Sequence, residues 1–267
     1  MLVVQPGGGG ERFPGDVVMN RHSIATAILA VFAVTALSLT TAARANTVDI
    51  VHDGYGANST ATFWAAWQYG SEVGAGVYKL DKTADTGIGN TWPNTTIPSF
   101  CIELQETAPT STYTYQVMMP EDVYNSVTDE TMGTTKANYL RELWARYYDN
   151  TWAGSGPFSG QQHGDAEAFA AAVWEIVYED VPVSPIGWDV TIDSTTGAGG
   201  FRAEYLDADK ANTWLRSLTG SGPKADLRAF VCQGQQDYLV AVPEPATVIL
   251  LGLGGLLSLA GRRRSRK

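Results

Sequence analysis

The sequence predicts an α+β fold, a mainly antiparallel β sheet or sandwich with about three helices, framed by an N-terminal signal helix and a C-terminal transmembrane helix. Three observations predict it. Short apolar runs broken by turn residues fill positions 46–119. Three segments between 134 and 218 place apolar residues at helical spacing. Strands and helices are grouped rather than alternated, which argues against a βαβ array.

Residues 1–18 contain Gly7 to Gly10 in a row and precede a second methionine, Met19, so they are expected to be a non-native extension. The four glycines form no phosphate loop, because no Lys-Ser/Thr follows them. Residues 19–45 read as a signal peptide: Arg21 and His22, an apolar stretch from Ile24 to Leu39, and a small-x-small cleavage site at Ala43-Arg44-Ala45. Asn46 is then the first mature residue.

The body, residues 46–242, is long enough for one core and is expected to be a single exported domain. It carries 25 acids against 10 bases, a net charge of −15. Nucleic acid is an unsuitable partner for such a surface, whereas solubility and attraction of cations follow from it.

Thr47 to Val51, Gly74 to Leu80, Ile97 to Leu104 and Thr112 to Met119 are predicted strands. Thr60 to Tyr69, with Phe63, Trp64 and Trp67, fits a strand or a short helix. The first helix is capped by Thr134 or Thr135 and runs to about Asp149, with Tyr139, Leu140, Leu143, Trp144 and Tyr147 on one face. The second opens at Gly164-Asp165 and ends at Tyr178, with Phe169, Val173 and Ile176 on its apolar stripe. Trp188 to Ile192 and Phe201 to Tyr205 are predicted strands around a glycine-rich turn. The third helix runs from Asp207 to about Leu218, ahead of Gly220, and a last strand covers Asp237 to Val242.

The body offers little chemistry. Apart from His22 it contains two histidines, His52 and His163, and it has no His-x-x-x-His, no Gly-x-Ser-x-Gly and no paired Cys ligands, so no metal site, cofactor or catalytic residue is assigned. Glu103, Glu175, Glu179 and Asp180 are the carboxylates a glycosidase pair could draw on. Asp207-x-Asp209 reads as a helix cap rather than a calcium loop, since Lys210 follows and the Gly and terminal Glu are missing. The two cysteines, Cys101 and Cys232, are permitted a disulfide by an exported location but do not require one; two free or buried thiols are the alternative. Among eight tryptophans, Trp92 and Trp152 have turn-rich neighbours and are the candidates for stacking on sugar rings.

Residues 243–267 form a separate, three-part tail. Pro243-Glu244-Pro245 fixes two φ angles and disfavours helix just before each proline, which leaves extended backbone for a processing enzyme to grip. The uncharged run Ala246 to Ala260 follows. As a helix to Gly261 it would rise ~24 Å, short of the ~30 Å hydrocarbon core, which suits a tail that is processed. Arg262, Arg263, Arg264, Arg266 and Lys267 form a basic stop that stays cytoplasmic and leaves the body outside.

This tail resembles the PEP-CTERM sorting signal of exported bacterial proteins, with Val242 to Thr247 matching its core. The resemblance implies an exosortase acting at Pro-Glu-Pro, a transient inner-membrane anchor, release to the cell surface or extracellular space, and an association with exopolysaccharide. The same C-terminal region occurs on some ice-binding proteins. Within the body, Phe100-Cys101-Ile102-Glu103 and Phe169 to Trp174 resemble the strand and helix motifs of thioester domains, in which a Cys condenses with a Gln. The matching position for that Gln is Ala170, which removes the chemistry while leaving the scaffold; Gln105, Gln161, Gln162 and Gln233 are the conceivable substitutes. The expected function is a structural or binding component of a biofilm matrix, without enzymatic activity. The alternatives are a covalent thioester adhesin, a polysaccharide-active enzyme and an ice-binding protein.

Overall fold

The computed structural model describes residues 45–65, 68–193 and 200–243. Residues 1–18, residues 19–44 of the signal peptide, Trp67, Glu244 and Pro245, the apolar run and the basic stop therefore lie outside the described residues.

The chain opens with a long hairpin, β1 (Thr47–Ala65) and β2 (Gln68–Thr86). The ambiguous stretch with Phe63 and Trp64 is thus strand. Register shifts at Asp49/Ile50, His52/Tyr55, Tyr55/Asn58 and Phe63/Ala65 bend the hairpin, as bulges do. Gly76, at φ +146°, lies where a Cβ would stand 2.4 Å from the Ala57 carbonyl, so the bend demands glycine there. Next come β3 (Thr96–Cys101), β4 (Tyr113–Met118) and the short pair β5 (Tyr124–Asn125) and β6 (Glu130–Thr131). Helices α1 (Gly133–Tyr147) and α2 (Gly160–Tyr178) follow, then β7 (Phe201–Glu204), α3 (Ala208–Ser217), β8 (Leu227–Cys232) and β9 (Gln235–Ala241).

The main sheet is antiparallel and closes on itself. Its order is β2-β3-β9-β8-β4-β1-β7, and β1 also pairs with β2, so six strands form a ring to which β7 is attached. Thr47 to Ile50 make the closing pairs with Tyr113 to Gln116, while Thr62 to Ala65 pair with β7.

Alternation along the strands then sorts side chains into two cores. Val48, Ile50, Leu80, Tyr115, Phe230 and Tyr238 fill the ring. Phe63, Val77, Phe100, Ala229 and Leu239 face the other way, onto the helices. Helix α2 is the centre of that second layer, and Phe169, Val173, Trp174 and Ile176 are fully buried. Its start is earlier than periodicity predicts because Ser159 and Gln162 form a capping box.

Three local expectations are corrected. Trp188 to Ile192 is no strand: its amides bond to side chains, Asp189 N–H to Glu175 at 3.0 Å and Val190 N–H to Asn212 at 2.9 Å. Strand β8 has no counterpart among the predicted elements. Helix α1 has no side-chain cap, its N-cap being Met132 rather than a threonine. Asp207 caps α3 as expected, accepting from Lys210 N–H at 3.1 Å.

Val173→Asp should cost several kcal/mol, by placing an unpaired charge in the helical core, against a total stability of ~5–15 kcal/mol. Thermal melting checks it, and a variant that melts like wild type would show the wrong face of α2 was assigned.

Candidate functional site

Strand β3 delivers neighbouring side chains to opposite cores. Phe100 and Ile102 enter the helical layer, and Cys101 enters the ring. The Cys101 thiol is 2% exposed, donates to the Glu103 carbonyl at 2.9 Å, and is held protonated by burial well above its ordinary pKa. Trp174 of α2 donates its indole N–H to the Cys101 carbonyl at 3.0 Å. Helix and strand are therefore tied through backbone. Ala170 belongs to the helical core, away from the core that holds the thiol.

A glutamine does reach the surroundings of Cys101, from β9. Gln236 is 4% exposed and donates Nε2 to the same Glu103 carbonyl at 3.4 Å, and its Oε1 has no hydrogen-bond partner. Sequence reasoning missed it. The usable signal was the alternation Gln236, Tyr238, Val240, which becomes informative once β9 is known to pair with β3. The substitutes named from sequence serve elsewhere. Gln162 completes the α2 capping box, Gln161 donates to Asp165 at 2.8 Å, and Gln105 accepts from Ser126 at 2.9 Å. Gln233 lies in the turn between β8 and β9. Cys232, at the end of β8, is half-buried, and both thiols are free.

A groove of about 1130 Å³ runs beside the point where the chain leaves the body at Val242 and Pro243. One wall is the C-terminal turn of α1. There Tyr148 stacks on Trp144 with centroids 4.6 Å apart, and Tyr147, also in the groove, stacks on Trp214 at 4.9 Å. Burial raises the Tyr148 hydroxyl to about 12. Thr95, Thr96, Arg146, Asp149, Asn150 and Lys224 supply the polar rim.

The two tryptophans singled out in the sequence are not open faces. Trp92 lines the groove but is 2% exposed, donating its indole N–H to the Ala241 carbonyl at 2.8 Å. Trp152 is 3% exposed, packed on Phe169 and Tyr148. The rings of Tyr147 and Tyr148, which also line the groove, are half-buried.

The carboxylates named for a glycosidase do not meet across a cleft. Glu175 on α2 and Glu179 just past its end are fully buried, accepting from the amides of Asp189 and Phe201 at 3.0 and 2.6 Å. Glu103 accepts from Gln105 and Glu106 N–H in its own turn. His163 Nδ1 sits 2.6 Å from the Asn58 carbonyl, and His52 packs between Tyr55 and Tyr78. Among the described residues no group of three or more His, Cys, Asp or Glu could hold a metal ion, and no helix is long and apolar enough to cross a membrane.

Residues 241–264 match the PEP-CTERM protein-sorting motif. The chain thus carries the sorting signal of an exosortase substrate, and the motif supports export, transient membrane anchoring and an exosortase as processing partner. No curated protein and no solved structure matches the chain.

Glu175 gives the body a pH signature. Burial first, then the neighbouring Glu179, pushes its carboxyl up to about 9, from 4.5. Between those values the folded protein holds a proton that the unfolded chain has released, so stability falls as pH rises, by up to ~1.4 kcal/mol per unit. The melting temperature should drop between about pH 6 and about pH 9, and Glu175→Gln should flatten that drop. Calorimetry across the range checks it; an equal slope in the variant would assign the titration elsewhere.

Proposed function

We propose that the protein is exported, cut by an exosortase at Pro243-Glu244-Pro245, and released to serve as a non-enzymatic binding component of an exopolysaccharide matrix. The sorting motif supports delivery. The observation that carries the binding role is the groove beside Pro243, whose stacked Tyr148–Trp144 and Tyr147–Trp214 pairs hold aromatic surface rigidly beside a polar rim. Sugar rings offer C–H faces to aromatic rings and hydroxyls to polar neighbours, and pre-stacked rings lose little entropy on binding. Groove position also links delivery to activity, because Val242 and Pro243, at the start of the cleavage motif, line the groove.

A covalent reading has one observation in its favour, the convergence of Cys101 and Gln236 on the Glu103 carbonyl. Condensation would join Sγ to the Gln236 carboxamide carbon and release ammonia. The thiol's raised pKa opposes it, because the thiolate is the attacking species.

Protein recovered from the extracellular fraction should begin near Asn46, lack Arg262 to Lys267, and show no loss of ammonia in its intact mass. Recovery of the basic tail would refute processing, and a missing ammonia traced to Cys101 would replace the non-covalent reading.

Tyr148→Ala should weaken retention on the producing bacterium's exopolysaccharide by about tenfold, as loss of one stacking ring implies. Tyr69→Ala, at an exposed ring outside the groove, should leave it unchanged. Affinity electrophoresis compares them, and equal retention of both variants would move the binding surface elsewhere.

A further inference from the structure

The groove beside Pro243 differs from the rest of the body in its charges. Among the described residues, all but three of the body's ten bases are ion-paired. Of those three, Lys136 is buried and committed to the Val177 carbonyl at 2.9 Å. The other two, Lys224 and Lys79, stand at the groove.

Lys224 is exposed and belongs to the groove wall. Its Nζ donates to the side-chain carbonyl of Asn138 at 2.8 Å, a neutral acceptor, and an ammonium has three donors, so two N–H groups and the whole charge stay available. Lys79, on β2, is paired directly opposite Pro98 of β3, and Pro98 lines the groove. Residues opposite one another in an antiparallel pair share a face with Cβ atoms ~5 Å apart, which delivers Lys79 to the edge of the same wall. The remaining charges of the groove are engaged elsewhere. Arg146 is bonded to Glu142 at 2.7 Å, Asp226 is paired with Arg228, and Asp149 accepts from Thr151 N–H at 2.8 Å.

Placement matters because the body as a whole has a net charge of −15, which at long range repels an anion. Salt screens that field over ~8 Å at physiological ionic strength, so contacts at the groove decide what it holds. Two free ammonium groups beside stacked aromatic rings suit a ligand with both features, sugar rings and acid groups. A neutral glucan would meet the rings and leave the ammonium groups to water. On the reading of this groove as the sugar site, we propose that its ligand is an acidic polysaccharide whose units carry carboxylates, with Lys224 and Lys79 facing those carboxylates while the rings lie on Tyr147 and Tyr148.

The test is affinity electrophoresis of the full chain in a non-ionic detergent, through gels holding polygalacturonate or its fully methyl-esterified form, which keeps the rings and removes the charge. Wild type should bind the acid about tenfold more tightly than the ester. Lys224→Gln and Lys79→Gln should each weaken binding of the acid by about threefold, as loss of one exposed ion pair implies, and leave the ester unchanged. Arg202→Gln removes the same charge outside the groove and should change neither. Tyr148→Ala should weaken both polymers, which reports the stacking separately. Equal binding of both polymers that still depends on Tyr148 would overturn the acidic ligand and leave the sugar site standing. A lysine-dependent preference for the acid that survives Tyr148→Ala would instead uphold the charge contact and remove the stacking. Binding of neither polymer, lysine variants that lose acid and ester alike, or an Arg202→Gln loss equal to theirs would overturn the proposal.

Discussion

Closure of the sheet by the four pairs between Thr47–Ile50 and Tyr113–Gln116 is the constraint on which the rest of the body depends. Without it, β1 and β4 would each present a row of unpaired backbone groups. With it, every one of the six strands has two neighbours and the space inside can be sealed by Val48, Ile50, Tyr115, Phe230 and Tyr238. The length of β1 matters as much as its start. Its far end leaves the ring, pairs with β7 and gives Ala61 and Phe63 to the helical core, so one strand serves both layers.

Helix α2 is the counterpart of that strand in the second layer. It runs through the core with apolar side chains on nearly all sides, and Glu175 near its end and Glu179 just past it accept from the amides of Asp189 and Phe201. Those bonds supply the segment before β7 with acceptors that a sheet would otherwise provide, which is why that segment needs no strand of its own. Burial first, and then the charge of Glu179 four residues on, pushes the Glu175 carboxyl toward its protonated form.

The surface chemistry gathers where ordered elements end. The aromatic groove forms where α1 stops beside the exit of β9, and Lys224 joins it from the segment before β8. Such a place combines rigid support with open backbone, which favours binding over packing. It lies on a body whose net charge is −15, so the unpaired lysines at the groove are a local exception.

The sequence by itself determined what depends on neighbours along the chain. The sorting motif is legible because Pro-Glu-Pro, the apolar run and the basic block act as contiguous chemistry. The three helices, and β1, β3, β4, β7 and β9, follow from local periodicity. Tertiary structure decided everything that required a partner far away. Strand β8 was invisible because Leu227 to Cys232 draws its identity from pairing with β4 and β9. Trp188 to Ile192 had strand composition but found side-chain acceptors instead. Trp92 and Trp152, with loop-like neighbours, were buried by Phe230, Tyr148 and Phe169. Gln236 was placed beside Cys101, 135 positions away, by the register of β9 on β3. Local sequence sets periodicity and turn chemistry, but burial and register are properties of a contact, and a contact has two sides.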